Sequence, residues 1–346
     1  MATASIESLA KRVMDGQPLG VAEARVLAGV ECGRLEEMLY WAGRIRTRHF
    51  GRRVGFCCIA PGRLGGCSED CGWCGQAARL KEPHEPSERT AVDDLVQAAR
   101  RAQQAEASCF CVVNPGRRPS PCDLEALEDL NAALTSEGLP PACASMGELD
   151  AAAARRLRSA GVIRYNHNLE TSRSHFARVV STHRYDDRLA TLRAARREGL
   201  ALCCGGIFGI GETWDDRIEL ALTLRDEVGP EVVPLNFHDA RLGTPLADLP
   251  PLSPMECLHI IALFRFLLPR ANLKIAGGRR LLGDLQSWVF RAGASSLMVG
   301  DYLTTCGRSL QEDRRMVADL GLELAPMHVG SEPVNGPIYC AGEATT

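Results

Sequence analysis

Eight short apolar or β-branched segments recur along the chain, and amphipathic helical segments separate them. Strands that alternate with helices favour parallel pairing through right-handed crossovers. Eight such units predict an α/β fold, a closed (β/α)8 TIM-type barrel whose reactive side chains lie at the carboxyl ends of the strands. The predicted strands are VGFCCIA (54–60), SCFCVV (108–113), PPACASM (140–146), VIRYNHN (162–168), LALCCGGI (200–207), EVVPLNF (231–237), NLKIA (272–276) and SSLMVGD (295–301).

Three segments follow from these patterns. Residues 1–50 have apolar positions three and four apart, which predicts an N-terminal helical extension. The barrel is expected to occupy residues 51–326. Residues 327–346 are rich in Gly and Pro and lack periodicity, so we predict a poorly ordered C-terminal tail.

The composition restricts the partners. A hydrophobic fraction of 45% and a charged fraction of 24% are ordinary for a globular protein of 346 residues. A net charge of −3 gives no electrostatic reason to expect nucleic acid or an anionic membrane as a partner. No apolar run is long enough to span a bilayer, and the N-terminus lacks a signal-peptide pattern, so we predict a cytoplasmic protein.

The cysteine content is high, with 15 residues in the chain. Without an export signal, metal or redox chemistry explains some of them better than a disulfide framework does. Cys67, Cys71 and Cys74 form a C-x3-C-x2-C pattern in the loop after the first predicted strand. Three thiolates suit a [4Fe–4S] cluster with one open iron. The alternatives are a zinc site completed by a distant His or Cys, and three unrelated buried thiols.

This pattern after the first strand of a barrel resembles the radical S-adenosylmethionine (AdoMet) superfamily. The resemblance implies that the open iron binds the methionine part of AdoMet and that one electron cleaves AdoMet to a 5′-deoxyadenosyl radical. It also places the aromatic Trp73 near the adenine.

The octapeptide YNHNLETS, residues 165–172, ends the fourth predicted strand. Its alternate polar residues face the barrel interior, where buried amides and a carboxylate need partners. The octapeptide resembles the biotin synthase family. The resemblance implies that Asn168 and Glu170 bind the AdoMet ribose, and that Asn166 and Asn168 face the substrate, dethiobiotin.

Further segments resemble the same family in the same order. CCGGIFGIGET, residues 203–213, corresponds to a segment that approaches AdoMet; its candidate residues are Gly205, Gly206, Ile207 and Gly209. In PLNFHDARLGTPL, residues 234–246, Asn236 would contact the ureido ring of dethiobiotin. In GDYLTTCG, residues 300–307, Thr304 and Thr305 would lie near the substrate carboxylate.

The family takes its sulfur from an auxiliary cluster, usually [2Fe–2S], that three cysteines and one arginine hold. The matching cysteines here are Cys111, Cys143 and Cys203, but Lys274 stands where the family has the arginine. Lysine lacks the planar fork of arginine and must lose a proton to bind iron. Cys109 lies two residues before Cys111 and on the same face of the strand. We hypothesise that Cys109 joins or replaces the fourth ligand, so that the cluster could be a variant.

Cys204 is expected to point away from the cavity, opposite to Cys203. The other cysteines are assigned by default to packing or the surface, namely residues 32, 57, 58, 122, 257, 306 and 340. The predicted reaction is radical sulfur insertion into dethiobiotin to give biotin, with no side chain acting as a general acid or base. A homodimer and a flavodoxin- or ferredoxin-type electron donor follow from the resemblance.

Two other functions remain open. One is a related radical AdoMet enzyme with another substrate, which the Lys274 and Cys109 departures favour. The other is a non-catalytic iron–sulfur protein. Lipoyl synthase would require a further cysteine motif near the N-terminus, which Cys32 alone does not supply.

Overall fold

Short strands rich in Val, Ile, Cys and Phe form the centre of the molecule, where side chains on both faces are buried. A computed structural model describes residues 5–80, 85–303 and 307–325. The strands are β1 (Arg53–Pro61), β2 (Ala107–Val113), β3 (Cys143–Ser145), β4 (Arg164–Asn166), β5 (Ala201–Cys203), β6 (Gly206–Phe208), β7 (Val232–Phe237), β8 (Asn272–Ile275), β9 (Ser296–Met298) and β10 (Glu323–Leu324).

The sheet closes on itself. All strand pairs are parallel, and β1 pairs with β2 on one side and with β9 on the other. The order runs β1-β2-β3-β4-β5-β7-β8-β9, with β6 continuing the fifth strand beside β7. This confirms the predicted (β/α)8 barrel, and each predicted strand overlaps an observed one.

The fifth barrel strand is interrupted between β5 and β6, at Cys204 and Gly205. A Cβ atom at Gly205 would lie 2.0 Å from the carbonyl oxygen of Pro234, so only glycine allows this approach of two backbones. The amide of Gly205 donates to Oδ1 of Asn168 at 3.1 Å. The interruption therefore directs one backbone N–H from the sheet to a side chain near the end of β4.

Helices connect the strands and start at capping residues. At α5, Ser120 accepts a hydrogen bond from the amide of Asp123, and Pro121 occupies the first turn. The helices are α1 (Ile6–Met14), α2 (Val21–Ala28), α3 (Leu35–Phe50), α4 (Val92–Gln104), α5 (Pro121–Ser136), α6 (Ala151–Ser159), α7 (Arg173–Val179), α8 (Tyr185–Arg197), α9 (Trp214–Thr223), α10 (Pro254–Leu267), α11 (Trp288–Arg291) and α12 (Leu310–Asp319).

Helix α10 is mostly apolar, and every residue from Cys257 to Leu267 is buried, including His259 and Arg265. A helix without a polar face needs cover on both sides. It packs against β8 on one side and against α2 and α3 of the N-terminal segment on the other. The helices predicted within residues 1–50 are therefore present and cover α10, while the division of the chain at residues 50 and 326 stays a prediction.

Strand β10 lies outside the barrel and pairs with the start of β1. The predicted tail after residue 326 falls outside the described residues. None of the described helices is long and apolar enough to cross a membrane.

Candidate active site

The three-cysteine loop follows β1 at the carboxyl end of the barrel. Cys67, Cys71 and Cys74 are all half-buried. The amide of Cys74 donates to the carbonyl of Cys71 at 3.1 Å, and the amide of Gln76 donates to Sγ of Cys74 at 3.4 Å. The turn thus supplies a backbone donor to one of its own sulfur atoms, as a thiolate requires.

Two acidic residues inside this loop fix it to the segment before α8. The Asp70 carboxylate accepts from the amides of Ser181 and Thr182 at 2.9 and 3.2 Å. Although burial opposes the effect, hydrogen bonds from Ser181 and Thr182 lower the pKa of Asp70 to about 2. Glu69 accepts from the hydroxyl of Thr182 at 2.7 Å. The cysteine loop therefore has a defined position even though it has no regular secondary structure.

A chain of buried polar groups continues from Glu69. Nδ1 of His183 lies 2.5 Å from the Glu69 carboxylate, and Arg188 Nε donates to His183 Nε2 at 3.0 Å. Because His183 Nε2 accepts, its Nδ1 carries the proton and donates to Glu69. Burial, together with the nearby Arg188 guanidinium, lowers the pKa of His183 and keeps this neutral form. The chain ends at the β4 motif, where Arg188 donates to the Asn168 carbonyl at 2.8 Å and lies 3.5 Å from the Glu170 carboxylate.

Burial favours the neutral form of two of the loop thiols. It raises the pKa of Cys71 to about 12 and also raises the pKa of Cys74. At neutral pH such thiols are protonated unless a metal replaces the proton. Within the described residues, no three His, Cys, Asp or Glu side chains converge tightly enough to hold a single metal ion. Three thiols in one loop suit an iron–sulfur cluster that leaves one iron open.

The polar residues of the β4 motif point inward, as the alternation predicts. Asn166 Nδ2 donates to Sγ of Cys111 at 3.1 Å, while Asn166 Oδ1 is buried without a partner among the described residues. Glu170 has a φ of 71°, an uncommon conformation for a residue with a side chain. Burial raises the pKa of its carboxyl group. An unpartnered amide oxygen and a strained carboxylate-bearing residue are features of a ligand site.

The glycine-rich segment lies beside this motif. A Cβ at Gly206 would approach the Glu170 carbonyl to 2.6 Å, and the amide of Ile207 donates to that carbonyl at 2.7 Å. Gly209 has a φ of +88° and donates its amide to the Glu212 carboxylate at 2.9 Å. Gly206 is therefore required for close packing inside the protein, whatever contact it makes with a ligand.

The other predicted binding residues differ in their burial and in their hydrogen bonds. Trp73 is half-buried against the hydrophobic core. Asn236 uses both ends of its amide inside the protein, donating to the Gly206 carbonyl at 3.0 Å and accepting from the Gly277 amide at 2.9 Å. One N–H and one lone pair of Asn236 remain for a ligand. Thr304 and Thr305 lie outside the described residues.

A second group of thiols lies within the barrel strands. Cys57, Cys109, Cys111 and Cys143 form one buried cluster. Strand register explains it, because Cys57 is opposite Cys109, and Cys111 is opposite Cys143. The Sγ atoms of Cys109 and Cys143 are 3.4 Å apart. The predicted same-face placement of Cys109 and Cys111 is thus confirmed.

Lys274 joins this group to Cys203. Its ammonium donates to Sγ of Cys57 at 3.5 Å and to Sγ of Cys203 at 3.6 Å. Burial alone would lower the pKa of Lys274, but the charges of the surrounding cysteine thiolates raise it. Cys204 packs into the main hydrophobic core, away from these thiols, as predicted.

Sequence reasoning missed Cys57. The residue is 3% exposed and contacts Lys274, so its environment is that of the predicted cluster ligands. The neighbouring Cys58 faces the other side of β1 and packs against the main core. The available signal was the alternation along VGFCCIA, which puts one of the two cysteines inside the barrel, but it does not indicate which one. Cys306 and Cys340 lie outside the described residues.

Burial favours the neutral form of three interior thiols. It raises the pKa of Cys111 and of Cys203. The hydrogen bond with Cys143, together with burial, raises the pKa of Cys109 to about 12. Several buried thiols and an ammonium in one place have no packing advantage over apolar side chains, whereas thiolates that bind iron would balance the positive charge.

Another concave surface of the described chain lies away from the cysteines. It is at the amino ends of the strands, where its lining includes Arg53, Pro230 and Ala271. It contains none of the cysteines. Chemistry in barrels of this class takes place at the opposite end, so this surface is not the candidate site.

Family models and related proteins agree with this geometry. The Radical SAM superfamily model matches residues 63–224, and the model of the Biotin and Thiamin Synthesis associated domain matches residues 234–323. A biotin synthase from Trichlorobacter lovleyi is 43% identical over 322 residues, covering 92% of this chain and 96% of that protein. A biotin synthase from Geobacter sulfurreducens is 41% identical over 321 residues, covering 91% and 96%.

Solved structures share the fold. Methylornithine synthase superposes with a TM-score of 0.79 at 21% identity, over 92% of this chain and 97% of the other. HydG, a maturase of the [FeFe]-hydrogenase, has a TM-score of 0.79 at 16% identity, over 93% and 76%. The barrel and its cysteine loop therefore define a radical SAM enzyme. The extent of identity to the two synthases narrows the class further: the chain belongs to the biotin synthase family.

Proposed function

We propose that this chain converts dethiobiotin to biotin, with sulfur from an auxiliary iron–sulfur cluster inside the barrel. The observation that carries the proposal is the convergence of buried thiols from four strands, β1, β2, β3 and β5, around one lysine. Sulfur insertion needs a sulfur donor close to the substrate, and a cluster held by rigid strands meets that need. Family membership supports the same reaction.

We infer that Cys67, Cys71 and Cys74 hold a [4Fe–4S] cluster with AdoMet. When bound, the cluster supplies the electron that cleaves AdoMet to the 5′-deoxyadenosyl radical. Asn168 and Glu170 orient the ribose hydroxyls, and Trp73 packs near the adenine. Gly205, Gly206, Ile207 and Gly209 line the segment that faces AdoMet. The conformation of Glu170 and its proximity to Arg188 support a binding role at this position.

Asn166, Asn168 and Asn236 are proposed to position dethiobiotin, with Thr304 and Thr305 near its carboxylate. The unpartnered Oδ1 of Asn166 supports this role, since a ureido N–H would satisfy it. Asn166 also contacts Cys111, which would place a substrate at Asn166 next to the sulfur donor. The protein's contribution is to position the substrate carbons, the 5′ position of AdoMet and the sulfur, and to exclude water.

The auxiliary cluster is proposed to be held by Cys111, Cys143 and Cys203, with Cys109 in place of the family's arginine. A protonated ammonium has no lone pair for iron, and the Lys274 ammonium acts as a hydrogen-bond donor to Cys57 and Cys203, which favours Cys109 as the ligand. The contact of Cys109 with Cys143 supports this choice. Cys57 is a further donor, so the thiols outnumber the three that a family [2Fe–2S] cluster uses.

A single-turnover assay tests the reaction. The chain is reconstituted anaerobically with iron and isotopically labelled sulfide, then mixed with dithionite, AdoMet and dethiobiotin. We expect labelled biotin and a labelled 9-mercapto intermediate. Formation of 5′-deoxyadenosine without biotin would indicate a related enzyme with another substrate, and no 5′-deoxyadenosine would indicate a non-catalytic iron–sulfur protein.

The role of Cys109 is tested by iron and sulfide analysis with Mössbauer spectroscopy on the wild type and on Cys109→Ala. We expect the auxiliary signal to change and the signal of the loop cluster to persist. Unchanged spectra would remove Cys109 from the ligand set.

The remaining parts of the proposal rest on the family resemblance. They are a homodimer, a flavodoxin- or ferredoxin-type electron donor and a cytoplasmic location.

A further inference from the structure

A buried arginine on β4 is not explained by the fold. Arg164 is 4% exposed, and its Nε has no hydrogen-bond partner among the described residues. It lies two residues before Asn166 in the strand, so both side chains point into the barrel. A guanidinium keeps its charge at any ordinary pH, so leaving one of its buried N–H donors without a partner is costly.

The surroundings of Arg164 are rich in sulfur. It lines a small internal cavity together with Cys57, Cys109 and Cys203, and with Lys274. No Asp or Glu is among the described residues that line this cavity. The anion that would compensate two buried cations must therefore come from thiolates or from a group bound between them.

Three other polar residues of the cavity are engaged with one another or with backbone, whereas Oδ1 of Asn166, which also lines it, has no partner among the described residues. The Ser108 hydroxyl donates to the Phe56 carbonyl at 3.0 Å, and the Ser296 hydroxyl donates to Asn272 Oδ1 at 2.8 Å. Hydroxyl and amide groups of this kind do not neutralise a guanidinium. Arg164 thus has an unpartnered buried donor, Nε, in a cavity lined by interior thiols and by no described carboxylate.

We propose that Arg164, on β4, is a cationic hydrogen-bonding partner of the auxiliary cluster, while Cys109 takes the ligand position of the family's arginine. The inference rests on the proposed function. The guanidinium donates hydrogen bonds to cluster sulfur or to the cysteine thiolates, and its charge, with that of Lys274, offsets the negative charge of the cluster. A cation at this position stabilises the reduced cluster more than the oxidised one, and so raises the reduction potential.

The test compares the full-length wild type with Arg164→Met and Arg164→Gln after anaerobic reconstitution. Iron and sulfide per chain are measured, followed by a redox titration of the auxiliary cluster by visible absorption. We expect both variants to shift the auxiliary potential to more negative values and to retain less iron and sulfide. The EPR signal of the loop cluster should be the same in the Arg164 variants as in the wild type. Arg158→Met changes an exposed arginine and is the control, which should match the wild type in iron content and potential.

Glutamine removes the charge of Arg164 but keeps a hydrogen-bond donor at this position. Thermal melting shows which variants are folded. If Arg164→Met does not fold, Arg164→Gln decides the result. Wild-type potential and wild-type iron content in a folded variant would overturn the role of Arg164 and leave the proposed function intact. A wild-type chain that binds the iron of the loop cluster alone would overturn the proposed function, and the role of Arg164 with it.

Discussion

The two groups of cysteines in this chain are held in opposite ways. Cys67, Cys71 and Cys74 lie within eight residues of one another in an irregular loop, half-buried at the mouth of the barrel. The interior thiols come from separate strands and are buried. The loop depends on its own backbone and on Glu69 and Asp70, whereas the interior group depends on the register of the whole sheet.

The difference suggests a division of labour. A loop ligand set leaves space at the mouth for a cofactor that enters and leaves in each reaction. A ligand set on strands is rigid, and it presents sulfur at a fixed depth. Loss of one group of thiols should therefore leave the other group largely intact.

The largest effect is expected from Cys71→Ala. Removal of one of three thiolates should abolish the loop cluster and reduce 5′-deoxyadenosine formation to the level of a protein-free control. The exposed Cys122→Ala variant is the control and should retain wild-type activity. The measurement is nucleoside formed from AdoMet and dithionite. If Cys71→Ala also lost the interior iron, the two groups would not be independent.

Next in size is the contrast between Cys203→Ala and Cys204→Ala. The two residues are adjacent, but only Cys203 contacts Lys274. We expect Cys203→Ala to lose auxiliary iron and biotin formation while still cleaving AdoMet. Cys204→Ala should keep the iron and lose only stability. Iron per chain and biotin per chain are the measurements, and equal losses in both variants would contradict the assignment of faces.

A smaller effect is expected from Gly205→Ala, which tests how far the interior depends on strand spacing. The new Cβ would lie 2.0 Å from the Pro234 carbonyl oxygen, so one strand must move. Overpacking of this kind costs about 1–3 kcal/mol in the free energy of unfolding. Gly33→Ala is the control, because a Cβ there meets nothing within 4 Å. Denaturant titration gives both values, and equal stability of the two variants would refute the close approach.

The smallest effect is expected from His183→Gln, which weakens the link between the loop and the β4 motif. Loss of a charge-assisted hydrogen bond costs roughly 1.5 kcal/mol, which corresponds to about tenfold in affinity. We expect the KM for AdoMet to rise by about that factor, with less change in kcat. The control is His259→Gln, a buried histidine that bonds to the Leu27 carbonyl far from the site. An unchanged KM in His183→Gln would show that the hydrogen-bond chain between the loop and the β4 motif does not contribute to AdoMet binding.

Much of the site could be predicted from local patterns. The loop cysteines and YNHNLETS are contiguous, so their spacing alone indicates which groups lie together. The Glu69–His183–Arg188 chain could not be predicted, because Glu69 lies 114 positions before His183 and no local pattern connects the two segments. Cys57 was missed for a related reason, since a cysteine within an apolar strand is usually a small core residue.

The sequence by itself determined the class of fold and the radical site. Alternating strand and helix periods specify a parallel barrel, and three thiols at short spacing can meet only through local turns. Tertiary structure alone decided which inward residues share a layer. Barrel closure and strand register bring Cys57 opposite Cys109, direct Arg164 towards the interior thiols and bring Lys274 to Cys203. Alternation along a strand fixes the face of a residue, but its neighbours on that face depend on the stagger between strands, which no single segment encodes.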